Sequence, residues 1–195
     1  MKRIIFLLVT VFGMAACSNE AAAPAYDTSA PLSETSIYLM GADWTSDAEQ
    51  TIQLADFRGR PVALSMIYTS CGHACPMIVS DMKKIAGGLP ENGEVQYVLV
   101  SFDPDRDTPE RLRDFREAHG LGENWTLLRS DDVDVRTLAA LLDVRYRFEA
   151  DGNIAHTNRI TLLDAGGEIV GRQEGLGVDP ASSISILQEA TSLAL

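Results

Sequence analysis

Val62-Ala63-Leu64-Ser65-Met66-Ile67-Tyr68-Thr69-Ser70-Cys71-Gly72-His73-Ala74-Cys75-Pro76 is the stretch that decides the fold. Its first seven residues form a nearly continuous apolar run, the pattern of a strand buried on both faces of a sheet. Its last residue, Pro76, suits the first position of a helix, where a missing N–H loses no partner. Two thiols lie between them, four positions apart. A strand that passes through a cysteine loop into a helix predicts an α/β sheet with its site at the strand's carboxyl end. On this reading Cys75 falls at about the helix N-cap, where free N–H groups and the helix dipole favour an anion and lower a thiol's pKa.

Thiols at this spacing can close a reversible disulfide, bind a soft metal or sit inert in a core. The loop holds three intervening residues, one more than the thioredoxin-type motif. Gly72 can adopt backbone angles closed to other residues, which would let both sulfurs come within disulfide range. Spacing alone does not separate redox from metal chemistry; a third ligand elsewhere in the chain would.

Working outward, residues 95–102 read as a second buried strand, followed by the turn Asp103-Pro104-Asp105-Arg106-Asp107. Thr108 as N-cap, Pro109 at the first helical position and Gly120 past the end delimit the next helix. Residues 125–128 form a short apolar run, 133–142 a helix and 144–148 a strand. Residues 157–163 and 168–172 flank Asp164-Ala165-Gly166-Gly167, a hairpin signal. Asp179-Pro180 opens a final helix with Ile184, Leu187, Ala190 and Leu193 on its buried face. Upstream, residues 37–44 and 50–54 alternate as two short strands joined by a turn. The order predicts one domain, residues 37–195, with a central mixed sheet flanked by helices and an N-terminal strand extension; thioredoxin-like is the best match.

Residues 1–16 read as a targeting segment, with Lys2 and Arg3 before a short apolar run and Met14-Ala15-Ala16 before Cys17. The approach to Cys17 resembles the lipobox of bacterial lipoproteins, with Met14 where Leu is usual. Lipidation of Cys17 would anchor the chain to a membrane, and residues 17–36, rich in small and turn-forming residues, would be a flexible tether. The formal charge of −12 over 195 residues argues against a nucleic-acid partner, which needs a basic face for the phosphates. These features predict a monomeric domain, lipid-anchored in a bacterial cell envelope and facing the periplasm.

Three histidines could supply the third ligand. His119 falls in the last turn of its helix, where the dipole suits a cation, and reads as surface. His73 lies between the cysteines, too crowded for an easy third bond. His156 stands at the start of the 157–163 strand, where it could approach the cysteine loop. The residues alone leave its role open.

Tyr68-Thr69-Ser70-Cys71-Gly72-His73-Ala74-Cys75-Pro76, then Ser101-Phe102-Asp103-Pro104-Asp105-Arg106-Asp107-Thr108-Pro109-Glu110, then His156-Thr157 before an apolar strand, together resemble the Sco/SenC family of copper proteins. Gly72 departs from the family's usual Pro. The resemblance implies a thioredoxin-like fold and one copper, as Cu(I) or Cu(II), held by Cys71, Cys75 and His156. It implies delivery of that copper to the cytochrome c oxidase subunit carrying the CuA centre. The alternative is a thiol–disulfide oxidoreductase in which Cys71 attacks a partner disulfide and Cys75 resolves it. Two thiolates and an imidazole are a soft donor set suited to Cu(I), able to hold Cu(II) with a further oxygen ligand. The acidic turn has the odd spacing of a calcium loop at Asp103, Asp105 and Asp107 but lacks its Gly and terminal Glu. It reads as a helix-capping turn or as a neighbour of the copper loop. Met66 and Met77, among apolar residues, read as core.

Overall fold

The structure is a computed structural model that describes residues 26–90 and 94–194; the segment 1–16, Cys17 and the first part of the tether lie outside the described residues. A seven-stranded mixed sheet carries the strands Thr51–Ile52, Trp44–Ser46, Trp125–Arg129, Gln96–Ser101, Val62–Ile67, Arg159–Leu163 and Ile169–Glu174 in that order. Its centre is β3 (Val62–Ile67) and β4 (Gln96–Ser101), parallel to each other and buried at every position. Continuous burial explains why both segments are apolar runs rather than alternations; each fully buried large apolar side chain contributes ~1.5–3 kcal/mol. Strand β5 (Trp125–Arg129) extends the parallel set, while β8 (Arg159–Leu163) and β9 (Ile169–Glu174) add antiparallel strands on the other side. Helices α1 (Ala74–Gly87) and α4 (Ala181–Ala194) pack together against β3, β8 and β9, and α2 (Pro109–His119) packs against β5. Helix α3 (Asp132–Leu141) is capped by the Asp131 carboxylate, which accepts from the N–H groups of Val133 and Asp134.

Four expectations change. The alternation of residues 37–44 is not a strand. Ile37–Leu39 is a 3-10 turn whose Tyr38 N–H donates to Ser36 Oγ, with Ile37 and Tyr38 buried and Leu39 exposed. The N-terminal hairpin is shorter, β1 (Trp44–Ser46) with β2 (Thr51–Ile52), and β1 pairs antiparallel with β5. His156 does not open the strand at 157–163: it ends β7 (Ile154–His156), which pairs with β6 (Tyr146–Phe148) in a separate two-stranded hairpin. In α4, Leu193 is 80% exposed and Ala194 is buried in its place, because the buried stripe Leu187, Ala190 and Ala194 advances by three and four residues.

Candidate metal centre

The cysteine loop begins where β3 leaves the sheet. The Tyr68 N–H donates to Cys75 Sγ (3.4 Å), the Cys71 N–H to the Tyr68 carbonyl (3.2 Å), and the Cys75 N–H to Cys71 Sγ (3.4 Å). This last bond corrects the helix start. The N-cap position is His73, two residues earlier than its expected place, and makes no side-chain cap bond. The sulfur of Cys71 does the work of a capping oxygen, accepting one of the first-turn N–H groups that a helix leaves free. Cys75 is then the second helical residue, and the anion-favouring place passes to Cys71. Gly72 uses no positive φ, and a Cβ there would meet open space, so its conformational freedom is not what shapes the loop.

The two thiols differ accordingly. Burial pushes the Cys71 thiol up, but hydrogen bonds from the Cys75 and His73 N–H groups and from the Tyr68 and Cys75 side chains outweigh it, and its pKa ends below that of a free cysteine. Cys75 has no exposed surface, and burial, reinforced by the neighbouring Cys71 and Asp107 charges, drives its pKa far upward. The activated thiol is therefore Cys71.

His156 reaches the loop from the hairpin, with its Nε2 3.9 Å from Cys75 Sγ. Its Nδ1 lies 3.1 Å from the Thr157 carbonyl. A carbonyl only accepts, so Nδ1 carries the hydrogen and Nε2 presents a bare lone pair. Burial lowers the His156 pKa against the opposing pull of the Thr157 carbonyl, which keeps the ring neutral at neutral pH. Phe102 and Tyr68 hold it, with ring centroids at 5.0 and 6.1 Å. Among the described residues, Cys71, Cys75 and His156 form a group whose ligand atoms all lie within 4.8 Å of one another. The 3.9 Å separation is shorter than the ~4.3 Å spanned end to end by one metal–sulfur and one metal–nitrogen bond of zinc-like length, so one ion can touch both. Cys71 and His156 open onto a cleft of about 540 Å³ also lined by His73, Asn153 and Asn158, with Cys75 buried behind them.

His73 is exposed at the rim and is not part of the converging group. His119 packs on Phe115 at 4.2 Å, away from the site, and its pKa falls through burial and the nearby Lys83, against the cation-friendly setting expected of it. Met66 is buried in β3 and Met77 half-buried in α1. The acidic turn does not form a cation cup. Asp107, fully buried, accepts from the Thr69 N–H (3.0 Å), the Thr69 hydroxyl and the Ser101 hydroxyl. Asp103 pairs with Arg106, and Asp105 points outward, exposed. The turn thus grips the chain two residues before Cys71. Tyr68 enters the sequence reading as part of the strand and of the motif, without a contact of its own; in the structure its hydroxyl accepts the Ile154 N–H (3.3 Å), joining the cysteine loop to the histidine hairpin. No local sequence signal marks a contact across 86 positions.

Comparison with known proteins identifies the chain's relatives. The SCO1/SenC family model matches residues 34–192. A "putative copper-binding protein" of Stutzerimonas stutzeri is 26% identical over 129 residues, covering 63% of this chain and 62%, less than two thirds, of that relative. The crystal structure of Arabidopsis thaliana ScoI with copper bound superposes with a TM-score of 0.66 at 18% identity, over 78% of this chain and 96% of that one. BsSco, described as having a disulfide switch and as a member of the Sco family of cytochrome c oxidase assembly proteins, superposes with a TM-score of 0.68 at 22% identity, over 78% and 92%. Both structural likenesses speak to the fold, and the family match runs from before the first 3-10 turn into α4, across the cysteine loop, the acidic turn and the histidine hairpin: the chain belongs to the SCO1/SenC family.

Proposed function

We propose that the protein binds one copper ion through Cys71 Sγ, Cys75 Sγ and His156 Nε2, and that it delivers this copper to the CuA centre of cytochrome c oxidase. The observation that carries the proposal is the convergence of two sulfurs and one bare imidazole nitrogen on a single point, contributed by two separate segments. That soft set suits Cu(I), which the neutral His156 and the low-pKa Cys71 are poised to accept without prior proton loss from the ring. The copper-binding description of the Stutzerimonas relative and the copper-bound Arabidopsis structure support the choice of metal. The cleft is open, so an incoming partner thiol can bond before the old ligands leave.

The setting we propose is a bacterial envelope membrane, with Cys17 lipidated and the domain in the periplasm. Tyr26, the first described residue, bonds through its N–H to the Ala194 carbonyl (2.9 Å) and lies beside Asp164 and Ala165. Because β3 and β8 are antiparallel, with Val62 opposite Leu163, that is the end of the sheet away from the cysteine loop. The site therefore faces away from the tether, as suits a donor reaching for a partner's domain. Among the described residues no helix is long and apolar enough to cross a membrane.

The thiol asymmetry favours a second reading as a thiol–disulfide oxidoreductase. Cys71 thiolate would attack a partner disulfide and expel one partner thiolate. Cys75, losing its proton, would then attack the mixed disulfide and release the second, leaving a Cys71–Cys75 disulfide and a partner dithiol. Copper stoichiometry and Cu(II) absorption of the reduced protein, beside His156→Ala, separate the two. About one copper per chain with a sulfur-to-copper charge-transfer band, weakened in the variant, is the expected result. Failure of the reduced wild type to bind copper would leave the redox reading.

A further inference from the structure

The proposed ligands sit on two bodies that share no sheet. The cysteines hang from β3 in the central sheet, whereas His156 rides on the separate β6–β7 hairpin. Whatever fixes the hairpin against the central domain fixes the distance from Nε2 to the sulfurs. We propose that Arg106 is the clamp that performs this positioning, and hence that it sets the share of copper affinity contributed by His156. The inference rests on the copper reading for its first test and is independent of it for its second.

The geometry is specific. Arg106 Nε donates to the buried carboxylate of Asp103, and Arg106 Nη2 donates to the Gly152 carbonyl (2.9 Å) at the tip of the hairpin. Asp103 is only 3% exposed and is itself held, its N–H donating to Ser101 Oγ (2.9 Å) and its carbonyl accepting from the Asp107 N–H (2.9 Å). The guanidinium is therefore anchored at its inner edge on a rigid turn at the end of β4 and holds the hairpin with its outer edge. The tip places the Gly152 carbonyl within reach of that outer edge. Gly152 has φ +84°, and a Cβ placed there would lie 3.6 Å from Arg106 Nη1, in ordinary contact. The tip is closed from within by the Gly152 N–H to the Glu149 carbonyl (3.0 Å) and by the Asn153 N–H to Asp151. Besides Arg159 of β8, whose guanidinium holds the chain entering β6 by the Leu142 (2.6 Å) and Asp143 (2.5 Å) carbonyls, two further links join the bodies, Tyr68 Oη accepting from the Ile154 N–H and Phe102 packed on Tyr146 and His156. Both further links lie near the histidine; Arg106 alone among the four grips the far end. A planar guanidinium presents donors on two fixed edges and so can bridge acceptors on opposite sides, where the compact ammonium of a lysine offers no such rigid fork.

Arg106 is 45% exposed on its side chain, so its truncation opens no core cavity, and a companion Asp103→Asn change, carried in every protein compared, removes the buried charge that it would otherwise strand. The test compares Arg106→Ala with the protein that keeps Arg106, each also in a His156→Ala background. Cu(I) affinity is read by chelator competition and the Cu(II) charge-transfer band by absorption. Loss of a charge-assisted hydrogen bond predicts copper binding about five- to tenfold weaker, with the band shifted toward that of His156→Ala. In the His156→Ala background Arg106→Ala is expected to change neither, because the ligand it positions is gone. Equal loss in both backgrounds, or no loss with His156 present, overturns the proposal. The second measurement needs no metal. Hydrogen exchange at Gly152, Ile154 and Thr157 is expected to quicken about five- to tenfold in Arg106→Ala, with β3 and β4 unchanged. Unchanged hairpin exchange, or acceleration throughout the sheet, refutes the clamp whatever the copper result. A protein that keeps Arg106 and binds no copper, while the variant's hairpin opens faster, defeats the copper reading and leaves the clamp standing.

Discussion

Replacing Asp107 with Ala tests whether the acidic turn supports the cysteine loop or merely ends a strand. Asp107 is fully buried and its carboxylate receives three donors, the Thr69 N–H, the Thr69 hydroxyl and the Ser101 hydroxyl. Alanine strands all three, and each buried donor left without a partner costs ~1–3 kcal/mol. Relief of the desolvated carboxylate offsets part of this, so a net destabilisation of about 3 kcal/mol is expected. With a urea slope of ~2 kcal/mol per molar, the unfolding midpoint should fall by ~1.5 M. Asp107→Asn keeps the volume but turns an NH₂ toward a donor, and should fall by about half as much. The decisive comparison is the same Asp107→Ala change in a Thr69→Val, Ser101→Ala background, where two of the donors are already absent. Removing both sides of a hydrogen bond costs less than removing one, so the midpoint shift should shrink to about a third. A shift below ~0.3 M for the single variant, or an undiminished shift in the background, would refute the assignment of these bonds as the turn's hold on the loop.

The thiol asymmetry predicts that iodoacetamide at pH 7 modifies Cys71 at least ~10-fold faster than Cys75 in the folded protein, with peptide mapping as the readout; equal rates would place the thiolate wrongly. His156 has a folded pKa below its unfolded one, so between those values the unfolded chain binds more protons, and stability should rise with pH through that window, below about 6.5. The slope should shrink in His156→Ala and vanish only when His119, whose pKa is also lowered, is replaced as well, measured by urea midpoints from pH 5 to 7. Gly72→Ala, which needs no positive φ and meets open space, should stabilise by ~0.4–1 kcal/mol through the unfolded chain and leave copper stoichiometry unchanged; a lower melting temperature would show that the loop needs the glycine.

What was legible in the sequence was what local physics decides. Strands β3 and β4 announced themselves because burial on both faces demands unbroken apolar runs. Helix α2 was readable end to end, with Thr108 capping, Pro109 first and Gly120 in the left-handed region at φ 55°. Ile37–Leu39 misled because three residues of a tight turn give the same apolar alternation as a short strand. The start of α1 misled because a sulfur four residues upstream, rather than the nearest candidate, takes the cap's place. The three residues whose sulfur and nitrogen atoms converge, Cys71, Cys75 and His156, were legible as residue types in motif order. The separate hairpin under His156, the hold of Asp107 on Thr69 and the reach of Arg106 to Gly152 were not, since each depends on contacts across tens of residues.

The high pKa of Cys75 bears on how such a site can both hold and release an ion. A buried thiolate with no partner would carry a large desolvation penalty, so the metal-free protein keeps Cys75 protonated beside the bare His156 Nε2. Binding a cation replaces that proton, and the ion supplies the charge that burial otherwise forbids; each binding event therefore releases protons. Cys71 is closer to ionised and more accessible, so it is the ligand best placed to meet an ion first and to be exchanged first by a partner's thiol. Cys75 and His156 would then complete the site, Cys75 by giving up its proton and His156 through the bare Nε2 that its hairpin holds in place. Acquisition should accordingly slow as pH falls below the Cys71 pKa, while the final affinity should respond to the hairpin's mounting, which separates the rate of capture from the strength of holding in two different parts of the fold.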